Sequence, residues 1–143
     1  MSETPQSKAD AFAALHAGPD IFVMPNPWDI GSTQILTGMG FKALATTSAG
    51  YAFSRGRMDG VIGRDEMLAH VTEIVDATDL PVTADLENGY GDSPEAAGET
   101  IRLATLTGLA GGSIEDYTPH DGGKIYDMSL ATLAIPLAIF ACG

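Results

Sequence analysis

Residues 80–92 read LPVTADLENGYGD, and this stretch decides how the rest of the chain is organised. Its first half, LPVTAD, is a short apolar run of the kind that forms a buried strand in a parallel sheet. Its second half sets two carboxylates, Asp85 and Glu87, at the strand's end, ahead of a Gly-Tyr-Gly turn. Acids at the rim of a core are costly unless something positive pairs with them. The chain holds seven Lys and Arg against nineteen Asp and Glu. A metal ion is therefore an early suspect.

Strand and helix patterns alternate on both sides of this stretch. Residues 7–17 place Phe12, Leu15 and His16 on one helical face, and Gly18-Pro19 ends that helix. Residues 21–24, IFVM, read as a strand stopped by Pro25-Asn26-Pro27. From Trp28 to Met39 the pattern is helical, with Ile35, Leu36 and Met39 inward and Trp28-Asp29 packing and capping the start. Residues 42–46, KALAT, form a second strand, followed by a long polar, glycine-bearing loop from Thr47 to Gly63. Residues 64–77 give a helix, with Met67, Leu68, Val71, Ile74 and Val75 at helical spacing and acids in its first turn. Asp92 or Ser93 caps another helix, which has Pro94 in its first turn and runs to about Thr107. Residues 109–115, LAGGSIE, give a fourth strand.

This alternation predicts an α/β fold, a parallel sheet covered by helices, in a single domain over residues 1–143. A (β/α) barrel and a doubly wound sheet both satisfy it. Residues 128–143 carry no charged side chain and have Pro136 in their middle; nothing follows to cover them, which predicts an incomplete domain.

The bulk composition narrows the function classes. A 45% apolar and 18% charged composition suits a globular protein. A net charge of −12 argues against a general affinity for nucleic acid or an anionic membrane. The one cysteine, Cys142, excludes an intrachain disulfide and Cys-rich zinc sites. The polar N-terminus does not read as a secretory signal, and no apolar run is long enough to span a bilayer. The expectation is a cytoplasmic protein.

In parallel α/β folds functional groups collect where strands end. Asp85 and Glu87 follow the third strand, Glu115-Asp116 the fourth, and Asp59 lies in the loop after the second. Acids from successive strand ends converge if the sheet is parallel, and Mg²⁺ or Mn²⁺ is the simplest stabiliser of such a set. Helix capping or simple solvation would account for the same spacing. The loop TTSAGYAFSRG adds hydroxyls at Thr46, Thr47 and Ser48, and Ala49-Gly50 lets backbone N–H groups approach an anion. His16 and His70 read as structural or exposed, and Tyr51 and Tyr90 as interface or wall residues, with proton donation near the site as the alternative. His120 and Lys124, in the loop after the fourth strand, are the candidate proton-transfer groups.

The run MPNPWDIGSTQILTGMGFKALATTSAG, then ADLENGYG, then GGSIEDY, resembles the isocitrate lyase and phosphoenolpyruvate mutase superfamily. The resemblance covers roughly residues 8–127 in order and spacing. It implies a TIM-type (β/α)8 barrel, here a partial barrel of about four to five βα units. It also implies a lyase or mutase that cleaves or forms a C–C or C–P bond in a 2-oxo acid or related dicarboxylate, through a metal-stabilised enolate. By motif match Asp85 corresponds to the direct Mg²⁺ ligand, and Asp59, Glu87 and Glu115 to the carboxylates that hold the metal's waters. Asp59 would also serve catalysis, and Asp85 substrate binding. Thr47, Ser48 and Ala49 correspond to the substrate cradle. The family's Lys-Lys-Cys-Gly-His type loop is absent, no Arg follows Arg102, and Cys142 matches no catalytic position. A homo-oligomer is implied as well. The alternative is a catalytically inactive fragment that acts as an oligomerising or metal-binding module.

Overall fold

The computed structural model describes residues 5–119 and 122–133. Helices α1 (Pro5–Ala17) and α2 (Ile30–Gly38) precede strand β1 (Leu44–Ala45). Helices α3 (Ser48–Ser54) and α4 (Arg64–Asp76) lead to β2 (Val82–Asp85), and α5 (Pro94–Thr105) leads to β3 (Gly111–Ser113). A hairpin of β4 (Tyr117–Thr118) and β5 (Lys124–Ile125) follows, and helical turns resume at 128–133. Strands β1, β2 and β3 form one parallel sheet in that order, with Leu44 opposite Val82 and Asp85 opposite Ser113. The α/β alternation expected from the sequence is present.

The core lies between this sheet and the two long helices. Leu44, Val82, Ala84 and Leu86 from the strands meet Met67, Val71, Ile74 and Ile101 from α4 and α5. On α4 the predicted Met67, Val71, Ile74 and Val75 face inward, His70 is buried with them, and Leu68 is only half-buried. Ser93 caps α5 by accepting from the Ala96 N–H at 3.2 Å, with Pro94 at the first position, and the helix ends at Thr105, about two residues short of the expected stop. Asp29 caps α2 in a reciprocal box with Ser32, as the sequence suggests.

Four expectations need correction. Residues 21–24 are not a strand: Ile21 is 99% exposed, and the chain meets β1 through a bond from the Ala45 N–H to the Pro25 carbonyl. Pro25 and Pro27 have no N–H to extend that pairing into a ladder. Ile35 and Met39 point outward at 67% exposure each, leaving Leu36 as the residue of that group packed against the core. The stretch from Thr47 to Gly63 is not all loop, because it contains α3. The fourth strand is confined to Gly111–Ser113 within the expected 109–115. Residues 134–143, including Pro136 and Cys142, lie outside the described residues, as does His120.

Candidate active site

The parallel register carries three strand ends to one edge of the sheet. Beyond β1 the Thr46 N–H donates to the Thr83 carbonyl at 2.9 Å, and the Asp85 N–H donates to Thr46 Oγ1 at 3.1 Å. Beyond β2 the Leu86 N–H reaches the Ser113 carbonyl, and the Glu115 N–H reaches the Glu87 carbonyl at 2.7 Å. The backbone ladder thus outlasts the strands and fixes Thr46, Asp85, Glu87 and Glu115 side by side.

Helix α3 starts at this edge. Thr47 caps it, its Oγ1 accepting from the Gly50 N–H at 3.1 Å. Gly50 is required by close approach, since a Cβ there would lie 2.5 Å from Thr47 Cγ2. Ser48, in the first turn, gives both its N–H (3.0 Å) and its Oγ (2.7 Å) to Asp85 Oδ2. Asp85 Oδ1 accepts from the Glu87 N–H at 3.2 Å. Asp85 is therefore held from both sides, and none of these three bonds uses the Ala49 N–H. The Thr47 hydroxyl, expected to face a substrate, is engaged in the cap.

The turn after β2 has an unusual backbone. Glu87 (φ 48°), Gly89 (φ 83°) and Tyr90 (φ 60°) all lie in the left-handed region. Non-glycine residues rarely hold that conformation unless their surroundings impose it. Gly89 leaves no alternative, because a Cβ would stand 2.6 Å from the Ala97 Cα. The Thr100 hydroxyl donates to the Gly89 carbonyl at 2.6 Å, and Asn88 Oδ1 accepts from the Tyr90 N–H at 3.1 Å.

The charges that act on Glu87 are all negative. Burial, and then the carboxylates of Asp59, Asp85 and Glu115 in that order, push the Glu87 carboxyl up to about 7. Burial followed by Asp85, Asp59 and Asp116 raises Glu115. Glu87 Oε1 is buried with no hydrogen-bond partner. Beside it opens a cleft of about 510 Å³ lined by residues 60–66, Glu87, Asn88, Tyr90 and Pro119. The Tyr90 hydroxyl is also buried without a partner, and burial with the Glu87 and Asp85 charges keeps it protonated. Arg64 Nε, a third such atom in this lining, lies 3.6 Å from Asp65, too long for a hydrogen bond.

The carboxylates of Asp59, Asp85 and Glu115 all act on Glu87, Asp59 from an exposed loop position where its Oδ1 accepts from the Gly60 N–H. Among the described residues no group of three or more His, Cys, Asp or Glu side chains is placed to hold a metal ion. Lys124 is exposed in β5, and the charges acting on Glu87 and Glu115 do not include it.

The phosphoenolpyruvate phosphomutase family model matches residues 12–141. The chain belongs to the phosphoenolpyruvate phosphomutase family. Among solved structures it superimposes with a TM-score of 0.94 and 50% identity on a candidate lyase/mutase from Burkholderia cenocepacia J2315, over 97% of this chain and 50% of that one. With oxaloacetate acetylhydrolase bound to 3,3-difluorooxalacetate the TM-score is 0.86 at 26% identity, over 97% of this chain and 50% of that one. Among curated relatives, 2-methylisocitrate lyase of Bacillus subtilis is 32% identical over 76% of this chain and 36% of its own length. The chain spans less than half the length of the curated relatives it matches.

Sequence reasoning passed over the first-turn geometry of α3 and the part played by Asn88. A Thr three residues before Gly, after an apolar strand, is the signal that could have exposed the cap. Nothing local marks the bond from Asn88 to Tyr126, which spans 38 positions.

Proposed function

We propose that this chain carries the divalent-cation and 2-oxo acid site of a lyase or mutase, built on about four to five βα units of a TIM-type barrel. The observation that supports this most is that the carboxylates of Asp59, Asp85 and Glu115 all act on the half-buried Glu87, with no positive charge among them. Their oxygen chemistry suits Mg²⁺ or Mn²⁺ with water completing the coordination, since among the described residues no three such side chains are placed to hold an ion. Such ions take oxygen ligands and keep several waters, so one direct carboxylate with others set back suits them. Asp85 would hold the ion directly, and Asp59, Glu87 and Glu115 would receive its waters; the unpartnered Glu87 Oε1 is an acceptor ready for that role. When bound, the cation supplies positive charge beside a carbonyl oxygen on which negative charge develops as the adjacent bond breaks.

The chain's own residues do the remaining work. Ser48 fixes the Asp85 carboxylate through two hydrogen bonds, so its orientation precedes ligand binding. The Thr47 cap sets the first turn of α3, which offers the Ala49 N–H to a substrate carboxylate or oxo oxygen. The carboxylate cluster repels an anionic substrate until the cation offsets it, so binding of the two is coupled. The expected substrate is a small 2-oxo acid or dicarboxylate, cleaved or formed at a C–C or C–P bond. The names of the relatives support that class: 2-methylisocitrate lyase and oxaloacetate acetylhydrolase both carry a small carboxylate in theirs.

A second reading, a metal-binding or oligomerising module without turnover, is favoured by the apolar side chains left exposed at Ile21, Val23, Ile35 and Met39. Turnover separates the two. Purified chain is incubated with Mg²⁺ and, in turn, 2-methylisocitrate, oxaloacetate and phosphoenolpyruvate, and products are followed by NMR. Consumption of one compound that EDTA and Asp85→Ala both abolish is the expected result. Consumption of none, with metal bound, would favour the module.

A further inference from the structure

The turn that carries Glu87 strains against its own backbone, so something must hold it. One brace comes from an element that is distant in sequence. Tyr126, just after β5, places its hydroxyl between two side chains of the turn: it donates to Asp92 Oδ1 at 2.7 Å and accepts from Asn88 Nδ2 at 2.8 Å. Asn88 Nδ2 also reaches Asp92 Oδ1 at 3.2 Å, closing a three-membered network. The other end of the Asn88 amide accepts the Tyr90 N–H at 3.1 Å. Both oxygen and nitrogen of the buried Asn88 are therefore engaged, and its position between Glu87 and Gly89 is fixed. Tyr126 is itself anchored by its N–H, which donates to the Asp116 carbonyl at 2.7 Å, one residue beyond Glu115. The Glu115 N–H in turn holds the Glu87 carbonyl. Tyr126 thus closes a loop of hydrogen bonds joining the two strand ends that supply carboxylates.

We infer that Tyr126 is a positioning residue for the carboxylate site, its hydroxyl locking the left-handed Glu87–Tyr90 turn through Asn88 and Asp92. This rests on the metal-site reading given above. The Tyr126 hydroxyl bonds to Asn88 and Asp92, neither of them one of the four proposed metal-site carboxylates. It acts by holding Asn88, and through Asn88 the backbone that aims Glu87. Partners of this outer kind commonly change metal affinity 10- to 100-fold when removed. The hairpin β4–β5 is coupled to the site by the same contact.

The test is Mn²⁺ binding to the full chain, measured by electron paramagnetic resonance, in the wild type, Tyr126→Phe and Thr37→Val. Tyr126→Phe keeps the ring and removes the hydroxyl's bonds to Asn88 and Asp92. Thr37→Val removes a 2.8 Å bond to Thr78 remote from the site and serves as a control for general loosening. The expected result is a Kd at least about tenfold higher for Tyr126→Phe, with Thr37→Val equal to the wild type. Asp92→Asn, which keeps shape and weakens the acceptor, should shift Kd in the same direction. Equal Kd for the wild type and Tyr126→Phe would overturn the inference while leaving the metal site standing, and so would equal weakening by Thr37→Val. Absence of Mn²⁺ binding in the wild type would overturn the metal-site reading and the inference together.

Discussion

Replacing Glu87 with Gln should stabilise the metal-free protein, and only in neutral to alkaline solution. A carboxyl that ordinarily titrates at 4.5 titrates here at about 7, chiefly because of burial and then because of Asp59, Asp85 and Glu115. Below 4.5 the group is protonated in both folded and unfolded chains and contributes nothing. Between 4.5 and 7 the unfolded chain releases its proton and the folded chain keeps it, so stability falls as pH rises. Above 7 the folded chain carries the full cost of the charge. At 1.36 kcal/mol per pH unit that cost is about 3 kcal/mol unscreened, and solvent access to a half-buried group reduces it to roughly 1–2 kcal/mol. Urea denaturation in EDTA should therefore show Glu87→Gln more stable than the wild type by about 1–2 kcal/mol at pH 8, with no gain at pH 4.5. Mg²⁺ should reverse the order at pH 8, since it stabilises the charged form. An equal gain at both pH values, or no gain at either, would refute the claim that repulsion and burial of this carboxylate shape the site.

Ser48→Ala removes the 2.7 Å hydroxyl donor to Asp85 while leaving the 3.0 Å backbone donor; a loss of about 1–2 kcal/mol in urea denaturation at pH 7 is expected. Gly89→Ala forces a Cβ toward the Ala97 backbone at a positive φ, and a loss of roughly 2–4 kcal/mol, or failure to fold, should appear in thermal melts. His70 is buried, stacked 3.8 Å from Tyr51, and held below its ordinary value of 6.5 chiefly by burial. The unfolded chain gains a proton first, so relative to His70→Phe the wild type should lose stability as pH falls through 6.5, a slope opposite in sign to that of Glu87.

Much of this was legible in the sequence because it is carried by short-range pattern. The apolar spacing of Met67, Val71 and Ile74 specifies the buried face of α4. Pro94 behind Ser93 marks the start of α5, and LPVTAD ending in Asp85 marks the strand β2 and its end. The failures have physical causes as well. Ile35 and Met39 have the spacing of a buried face, but spacing does not say whether a neighbour covers it. Helix α3 is seven residues long and includes Gly50, so its pattern is too short to register, and only the Thr47 cap reveals it. IFVM has strand composition without strand pairing. The Tyr126–Asn88 bond spans 38 positions, and no local signal encodes it.

The central claim, that these strand ends assemble a site for a cation and a 2-oxo acid, is tested most directly by a thermal melt with Mg²⁺ and oxalate. Oxalate mimics the planar enolate of a 2-oxo acid, and it is the product bound to a related acetylhydrolase. At about one hundred times its Kd, a ligand stabilises the folded state by ~2.7 kcal/mol, or about 5–10 °C in Tm for a chain of this size. The account predicts a rise of that order when both Mg²⁺ and oxalate are present, and none in Asp85→Ala. No rise in the wild type, or the same rise in Asp85→Ala, would contradict it.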